Sequence, residues 1–277
     1  METKTIAFSE FYLKDISHGE IGDKLTSADF DELQSAYKKG EKYSVEKGLL
    51  KDIQIEIHED FIWFILKQGK ATPHSPEVFN NQLGEYEKNP REKHQIEPNK
   101  QTFLAVRKGD GLCFISNLNK RDDYSEYISK LLSKKVGFSP VFKSIEEIEK
   151  TLKILDEVHL RVNDGLFVES NDVTKVSQAL FRNVGIIPDE IQITAKFLRR
   201  NIPAKFSHFF NRFIGNTAIS FFSCTCKDEK NMEYVLNSKE FIKRISITVD
   251  QDGDGFNNIT SVINPFSIEF KKCCGNY

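Results

Sequence analysis

Apolar and polar residues alternate in several short segments of the chain, and a period of two is typical of β-strands. In the clearest case, three isoleucines at alternate positions precede the apolar run Phe61–Leu66. That pattern predicts a hairpin over 52–67. Strands are also expected at Thr3–Leu13, Thr102–Val106, Leu112–Ile115, Phe138–Phe142, Leu155–Val162, Glu190–Phe197 and Ala218–Cys226, with a further hairpin around Asp250–Gly255.

Other segments carry apolar residues three or four positions apart, which is the spacing of one face of an α-helix. Phe30, Leu33 and Tyr37 follow this spacing after Ser27, a residue type that caps helix N-termini well. Helices are expected at Ala28–Lys39, Asp122–Lys135, Ser144–Leu152, Asp172–Val184 and Ala204–Ile214. In the last of these, four phenylalanines share one face, which predicts a stripe that packs against the core.

The order of these elements predicts an α+β protein, made of two α/β sandwich-like units with mixed or antiparallel sheets. The first expected domain covers residues 1–136 and includes a long polar excursion over 68–101. The second covers residues 137–277. No window approaches 18 consecutive apolar residues and no signal peptide precedes the first strand, while the odd number of cysteines favours reduced thiols. We therefore expect a cytoplasmic protein.

The distribution of charge changes the functional picture. The formal net charge is -2, from 39 basic and 41 acidic side chains, which argues against a nucleic-acid-binding protein. However, the segment 175–215 contains seven basic and two acidic residues, a net of +5. Its cations are the candidate nucleic-acid-binding residues, and they are Lys175, Arg182, Lys196, Arg199, Arg200, Lys205 and Arg212.

The densest part of this basic block is Lys196–Arg200, at the end of a predicted strand. In an extended chain, Lys196, Leu198 and Arg200 point the same way. Cations grouped in this manner bind phosphates because each contact releases counterions from the nucleic acid, so the binding depends on salt rather than on sequence. The alternative interpretation is a solvated positive face, or cations that pair with acidic groups of the same chain.

Two carboxylate patterns suggest metal chemistry. Asp250, Asp252 and Asp254 stand before Gly255 as in the first half of a calcium-binding loop. The loop lacks the glutamate that such sites need at position twelve, so we assign no metal and no cofactor to the chain. Asp254, Glu269 and Lys271 match the carboxylate–carboxylate–lysine pattern of metal-dependent nucleases, in which two acids hold Mg²⁺ and the lysine stabilises charge.

The order of several segments resembles the RexA family of lambdoid prophage exclusion proteins. The similarity begins with Thr102–Val106, the Gly-Asp-Gly turn, Leu112–Ser116 and the helix at 122–135, and it continues in Glu190–Arg200. The resemblance implies a cytoplasmic, homodimeric, DNA-binding phage-defence protein of a bacterium, which works with a membrane effector encoded nearby. Within it, Lys196–Arg200 corresponds to the end of a strand, and we infer that this strand end contacts phosphates.

Three functional hypotheses follow. The first is a sensor of an exclusion-type anti-phage system that binds DNA, or RNA, through the basic block and signals to a partner, without a catalytic site of its own. The second is a Mg²⁺-dependent nuclease that uses Asp254, Glu269 and Lys271. The third is a non-catalytic protein-interaction module whose basic block pairs with acidic protein surfaces.

Overall fold

The described part of the chain contains 15 strands and five α-helices. The computed structural model describes residues 2–19, 22–39, 43–46, 48–70, 75–92, 95–96, 98–163, 190–202, 206–214, 219–237, 240–251 and 256–274. The helix predicted at 172–184 lies outside these residues. The chain divides into two compact units, Met1–Ser139 with Ser246–Glu269, and Pro140–Ile245 with Phe270–Tyr277. The domain boundary expected at 136/137 stays a prediction.

The strands are β1 (Glu2–Asp15), β2 (Asp23–Lys24), β3 (Tyr43–Glu46), β4 (Leu49–His58), β5 (Phe61–Lys70), β6 (Glu77–Asn80), β7 (Glu85–Lys88), β8 (Lys100–Arg107), β9 (Leu112–Ile115), β10 (Val136–Pro140), β11 (Leu152–Asn163), β12 (Glu190–Asn201), β13 (Ile219–Asp228), β14 (Glu233–Asn237) and β15 (Phe241–Gln251). The helices are α1 (Ser27–Lys39), α2 (Arg121–Leu132), α3 (Ile145–Glu149), α4 (Phe206–Ile214) and α5 (Ile259–Cys274). These bounds confirm the predicted hairpin over 52–67 and most of the predicted strands and helices. The turn of the hairpin predicted around Asp250–Gly255 lies outside the described residues, and the next described element is a helix.

Thirteen strands form one antiparallel sheet, in the order β12-β11-β13-β14-β15-β1-β9-β8-β5-β4-β3, with β2 and β10 also paired to β1. Strands β6 and β7 form a separate hairpin within the polar excursion. The α+β class is therefore confirmed, whereas the prediction of two separate sandwich-like units is wrong. The reason is β15, which is long enough to be hydrogen-bonded to β14 on one side and to β1 on the other.

The first unit is organised around β5, whose apolar run is buried from Phe61 to Leu66. One face of this strand packs under α2, where the ring of Phe64 lies 6.4 Å from that of Tyr127. The other face packs under α5, where Trp63 lies 5.1 Å from Phe266. A strand that is covered on both sides has no polar face, which explains why its sequence is continuously apolar and does not alternate.

Helix α5 was not predicted from the sequence. Its first turns are rich in β-branched residues and it contains Pro265, and both features disfavour a helix when taken alone. The helix is stabilised by packing, because Phe266 makes edge-to-face ring contacts with Phe8, Phe61 and Phe114 at 5.0, 5.6 and 5.3 Å. Burial of these rings outweighs the weak local propensity.

The second unit has its core on one face of β13. Phe222 of this strand lies 5.3 Å from Phe210 and 5.0 Å from Phe213, both on α4. Phe206 and Phe210 are fully buried. The predicted core-facing stripe of this helix is confirmed at these positions, so its phenylalanines are not a stacking surface for bases.

Replacing Phe266 tests the role of α5. Phe266→Ala should lower the free energy of unfolding by about 3–5 kcal/mol, because it empties a closed aromatic cluster. Ile268→Ala is the matched control on the same helix, since Ile268 is 54% exposed and should cost less than about 1 kcal/mol. Urea unfolding monitored by the fluorescence of Trp63, the single tryptophan of the chain, reads the same cluster directly. Equal effects of the two substitutions would contradict this role.

A second prediction concerns pH and Asp29. The start of α1 is capped by Thr26 and not by Ser27 as predicted, since Thr26 N donates to Asp29 Oδ2 at 2.7 Å. Burial alone would raise the pKa of Asp29, but hydrogen bonds from Lys134 and Thr26 outweigh it and hold the pKa below its ordinary range. The native state therefore gains stability from the ionised carboxylate above the unfolded-state value, and loses it as the pH falls.

We expect Asp29→Asn to be less stable than the wild type at pH 7, and the difference to close as the pH falls below about 4. Thermal unfolding across this pH range measures it. Asp31→Asn, on the exposed face of the same helix, is the control. A difference that persists unchanged at pH 2.5 would show that the carboxylate charge is irrelevant.

Candidate nucleic-acid interface

The structure describes only part of the basic block. Lys196 and Arg200 lie on β12 and are exposed. Arg199 lies on the same strand and Arg212 on α4, but their side chains are not described. Lys175, Arg182 and Lys205 lie outside the described residues.

Strand β12 stands at one end of the strand order, so within the described residues it is hydrogen-bonded to β11 on one side. Its register with β11 shifts in the middle, because Lys196 is paired with Glu157 while Arg200 is paired with Leu155. Four residues of β12 thus advance along two of β11, which is a bulge within Lys196–Arg200. Leu198, within this bulge, is 94% exposed, and Lys196 and Arg200 are exposed as well. That the three side chains point the same way stays a prediction.

Acidic side chains on this surface offset some of the positive charge. The carboxylate of Glu157 lies 3.7 Å from Lys196 Nζ and 3.0 Å from His159 Nε2. Arg161 Nε lies 3.5 Å from a carboxylate oxygen of Glu190. These pairs are solvated, and the Lys196 side chain is 80% exposed, so each contributes at most about 1 kcal/mol. A phosphate that competes for Lys196 therefore displaces a weak partner.

A second group of cations adjoins the end of β12. Four lysines line a cleft of about 400 Å³ in the second unit, and they are Lys150, Lys153, Lys230 and Lys243. The backbone N–H of Ile202, directly after β12, donates to Lys153 O at 2.9 Å. The cleft thus begins where the edge strand ends. We call these four residues the lysine cleft.

The acids of the lysine cleft are largely engaged in the turn between β13 and β14. Asp228 Oδ1 accepts from the backbone N–H groups of Lys230 and Met232 at 2.8 and 2.9 Å, and its Oδ2 accepts from Tyr234 OH at 3.3 Å. Because both of its oxygens accept hydrogen bonds within this segment, the Asp228 carboxylate stabilises the turn between β13 and β14. Glu229 lies 3.4 Å from Lys153 Nζ, so the cleft keeps an excess of positive charge.

Sequence reasoning missed the lysine cleft for a simple reason. Its members come from the segment before β11, from β11 itself, from the β13–β14 turn and from β15, and each stands in a stretch of unremarkable charge. Only the hydrogen-bonding pattern of the sheet brings them together, so no local signal was present to find.

The nuclease pattern does not assemble in the described residues. Glu269 and Lys271 lie on α5, two residues apart, and are therefore separated by about 200° around the helix axis. A strand would have placed them on one face. Asp252 and Asp254 lie outside the described residues, and Asp250 is exposed on β15. No group of three metal-binding side chains occurs among the residues whose placement is described.

The buried thiols are not activated nucleophiles. Cys224 and Cys226 are adjacent on one face of β13 and fully buried. A hydrogen bond with Cys226 that favours the protonated thiol, together with burial, raises the pKa of Cys224 well above its ordinary value. Burial does the same to the thiol of Cys113. A thiol becomes reactive when its pKa falls, so Cys113 and Cys224 support packing and not nucleophilic chemistry.

Comparison of the chain with models of protein families, with curated proteins and with solved structures finds no match. Among the helices described above, none has the length and apolar character needed to cross a bilayer. The similarity to the RexA family, the cytoplasmic location, and the expectation that the chain is not an enzyme stay predictions.

Proposed function

We propose that the second unit binds nucleic acid through its phosphate backbone, and that the bulged strand β12 and the lysine cleft form one contact surface. The observation that carries this proposal is their adjacency. Lys196 and Arg200 are exposed on β12, which is hydrogen-bonded on one side only among the described strands, and the lysine cleft opens where that strand ends.

The chemistry of this surface suits phosphates and not bases. Lys196 and Arg200 lie opposite Glu157 and Leu155, which are alternate residues of β11 and therefore about 6.7 Å apart. The two cations thus stand close enough along the strand to contact an extended polyanion together. Lysine and arginine in this arrangement neutralise phosphates and release counterions. Because these contacts are made to the phosphate backbone of the nucleic acid, binding does not depend on base sequence. DNA and RNA can both be ligands of this surface.

The resemblance to the RexA family supports the wider role. In that role the chain is a DNA-binding sensor of an exclusion-type anti-phage system, acts as a homodimer, and signals to a membrane partner encoded nearby. Phosphate binding by the segment Lys196–Arg200 is the part of this role that the described residues support directly.

Charge reversal on β12 tests the proposal. Lys196→Glu with Arg200→Glu should weaken binding to a duplex of mixed sequence by about tenfold or more at 50 mM salt. Loss of two phosphate contacts should also reduce the slope of log K against log salt by about 1.8. Fluorescence anisotropy with labelled DNA across a salt series measures both quantities.

The matched control is Lys70→Glu with Lys88→Glu, which changes the net charge equally on exposed residues of the first unit. If both double variants bind equally well, β12 is not the contact surface. If the wild type retains no nucleic acid at 50 mM salt but co-purifies with an acidic protein, the interaction-module hypothesis replaces this one.

Removing an acid should have the opposite effect. Glu157→Gln takes away the carboxylate that lies between Lys196 and His159, so DNA affinity should rise about two- to fivefold at low salt and converge with the wild type at high salt. Glu85→Gln, on the exposed strand β7, should leave the affinity unchanged. Weaker binding by Glu157→Gln would mean that this carboxylate organises the site and does not repel the ligand.

A further inference from the structure

The first unit contains a cleft that the nucleic-acid proposal does not use. It has a volume of about 560 Å³ and lies between β4, β5, β8 and the start of α5, within the range typical of ligand sites. The lining residues that matter chemically are Glu56, His58, Lys67, Gln101, Asn257 and Ile263.

One end of this cleft is positive. Lys67 lies opposite Gln101 in the register of β5 and β8. The side-chain oxygen of Gln101 accepts a hydrogen bond from Asn257 N at 3.0 Å, and its side-chain nitrogen donates one to Asn257 O at 3.2 Å. Asn258 Oδ1 then accepts from Thr260 N at 3.0 Å. These bonds fix the N-terminus of the 16-residue helix α5 beside Lys67, and helix N-termini favour anions.

The other end of the cleft is acidic. In the register of β4 and β5, Lys67 lies opposite Asp52. Glu56 lies four residues further along β4 than Asp52. Four residues of a strand span about 13 Å. His58 follows on the same face of β4 as Glu56. Between the two ends lies the side chain of Ile263, one turn into α5. A ligand that fills the cleft therefore meets opposite charges separated by an apolar stretch.

Two polar atoms in the cleft walls lack partners. Asn257 is 6% exposed, and its Oδ1 has no hydrogen-bond partner among the described residues. The same holds for Nδ1 of His58. Buried polar atoms are normally hydrogen-bonded, and these two mark the two ends of one cleft. The wall at the positive end thus contains a buried acceptor without a partner among the described residues.

We propose that this cleft binds an extended peptide of four residues with a free C-terminus. Its carboxylate lies at Lys67 and the N-terminus of α5, and its last amide N–H donates to Asn257 Oδ1. An ammonium group at the other end meets Glu56 and His58. An extended tetrapeptide spans about 13 Å, which equals the separation of the charged ends. Capture of a terminal carboxylate by backbone N–H groups is an established mode of peptide recognition.

The test uses the full chain and the tetrapeptide Ala-Leu-Ala-Leu in calorimetric titration. The free peptide should bind, while amidation of its C-terminus or acetylation of its N-terminus should each weaken binding about tenfold or more, as expected for loss of a charge-assisted hydrogen bond. The tripeptide Leu-Ala-Leu should bind more weakly because it cannot span both ends. Absence of binding, or equal binding of all capped forms, overturns the proposal.

Variants locate each end. Lys67→Met should make the free and amidated peptides bind equally, and Glu56→Gln should do the same for the free and acetylated peptides. Lys70→Met, an exposed lysine on the same strand, should change neither comparison. If the variants do not fold, the capped peptides still decide the question with the wild type. If adenosine monophosphate binds in a Lys67-dependent manner and the peptide does not, the cleft takes a nucleotide and the peptide proposal is wrong.

Discussion

Burial of β5 on both faces is the constraint on which the first unit depends. Its apolar run has α2 on one side and α5 on the other, with Tyr127 and Phe266 as the respective contacts. A strand with no solvated face accepts no polar substitution without cost, so the two helices are held where their apolar residues meet it. The position of the cleft follows from this, because α5 begins at the edge of the region that it covers and its exposed first turn faces the polar ends of β4, β5 and β8.

The two units differ in how helices cover the strands of the sheet. In the second unit, α4 places its phenylalanines against Phe222 on one face of β13. The outer strand β12 keeps exposed side chains at alternate positions. An edge strand is a hazard, because its unpaired backbone groups attract other strands, and proteins protect such edges with charge and with bulges. Among the described strands β12 is such an edge, and Lys196, Arg200 and the bulge between them are features of that protective kind.

The sequence was a good guide where a local pattern decides the structure, and a poor one where distant contacts do. Three alternating isoleucines and the run after them were sufficient for the β4–β5 hairpin, and the phenylalanine spacing was sufficient for α4. Helix α5 was missed because Pro265 and β-branched residues argue against it locally, while its stability comes from rings that lie on β1, β5 and β9. The lysine cleft could not be predicted from the sequence for the same reason, and neither could the atoms of Asn257 and His58 that lack hydrogen-bond partners. Each of these features forms only when segments that are distant in the chain come together.

Edge protection and phosphate binding place different demands on the same cations, and this separates the two interpretations of β12. Protection of an edge needs charge along the strand alone, and neighbouring acids do no harm to it. Phosphate binding needs an excess of positive charge that extends beyond the strand. The four lysines of the lysine cleft lie on other segments than β12, beside an aspartate already saturated by its own turn. They supply such an excess away from the edge that the described strands present. Their position is the feature that edge protection leaves unexplained.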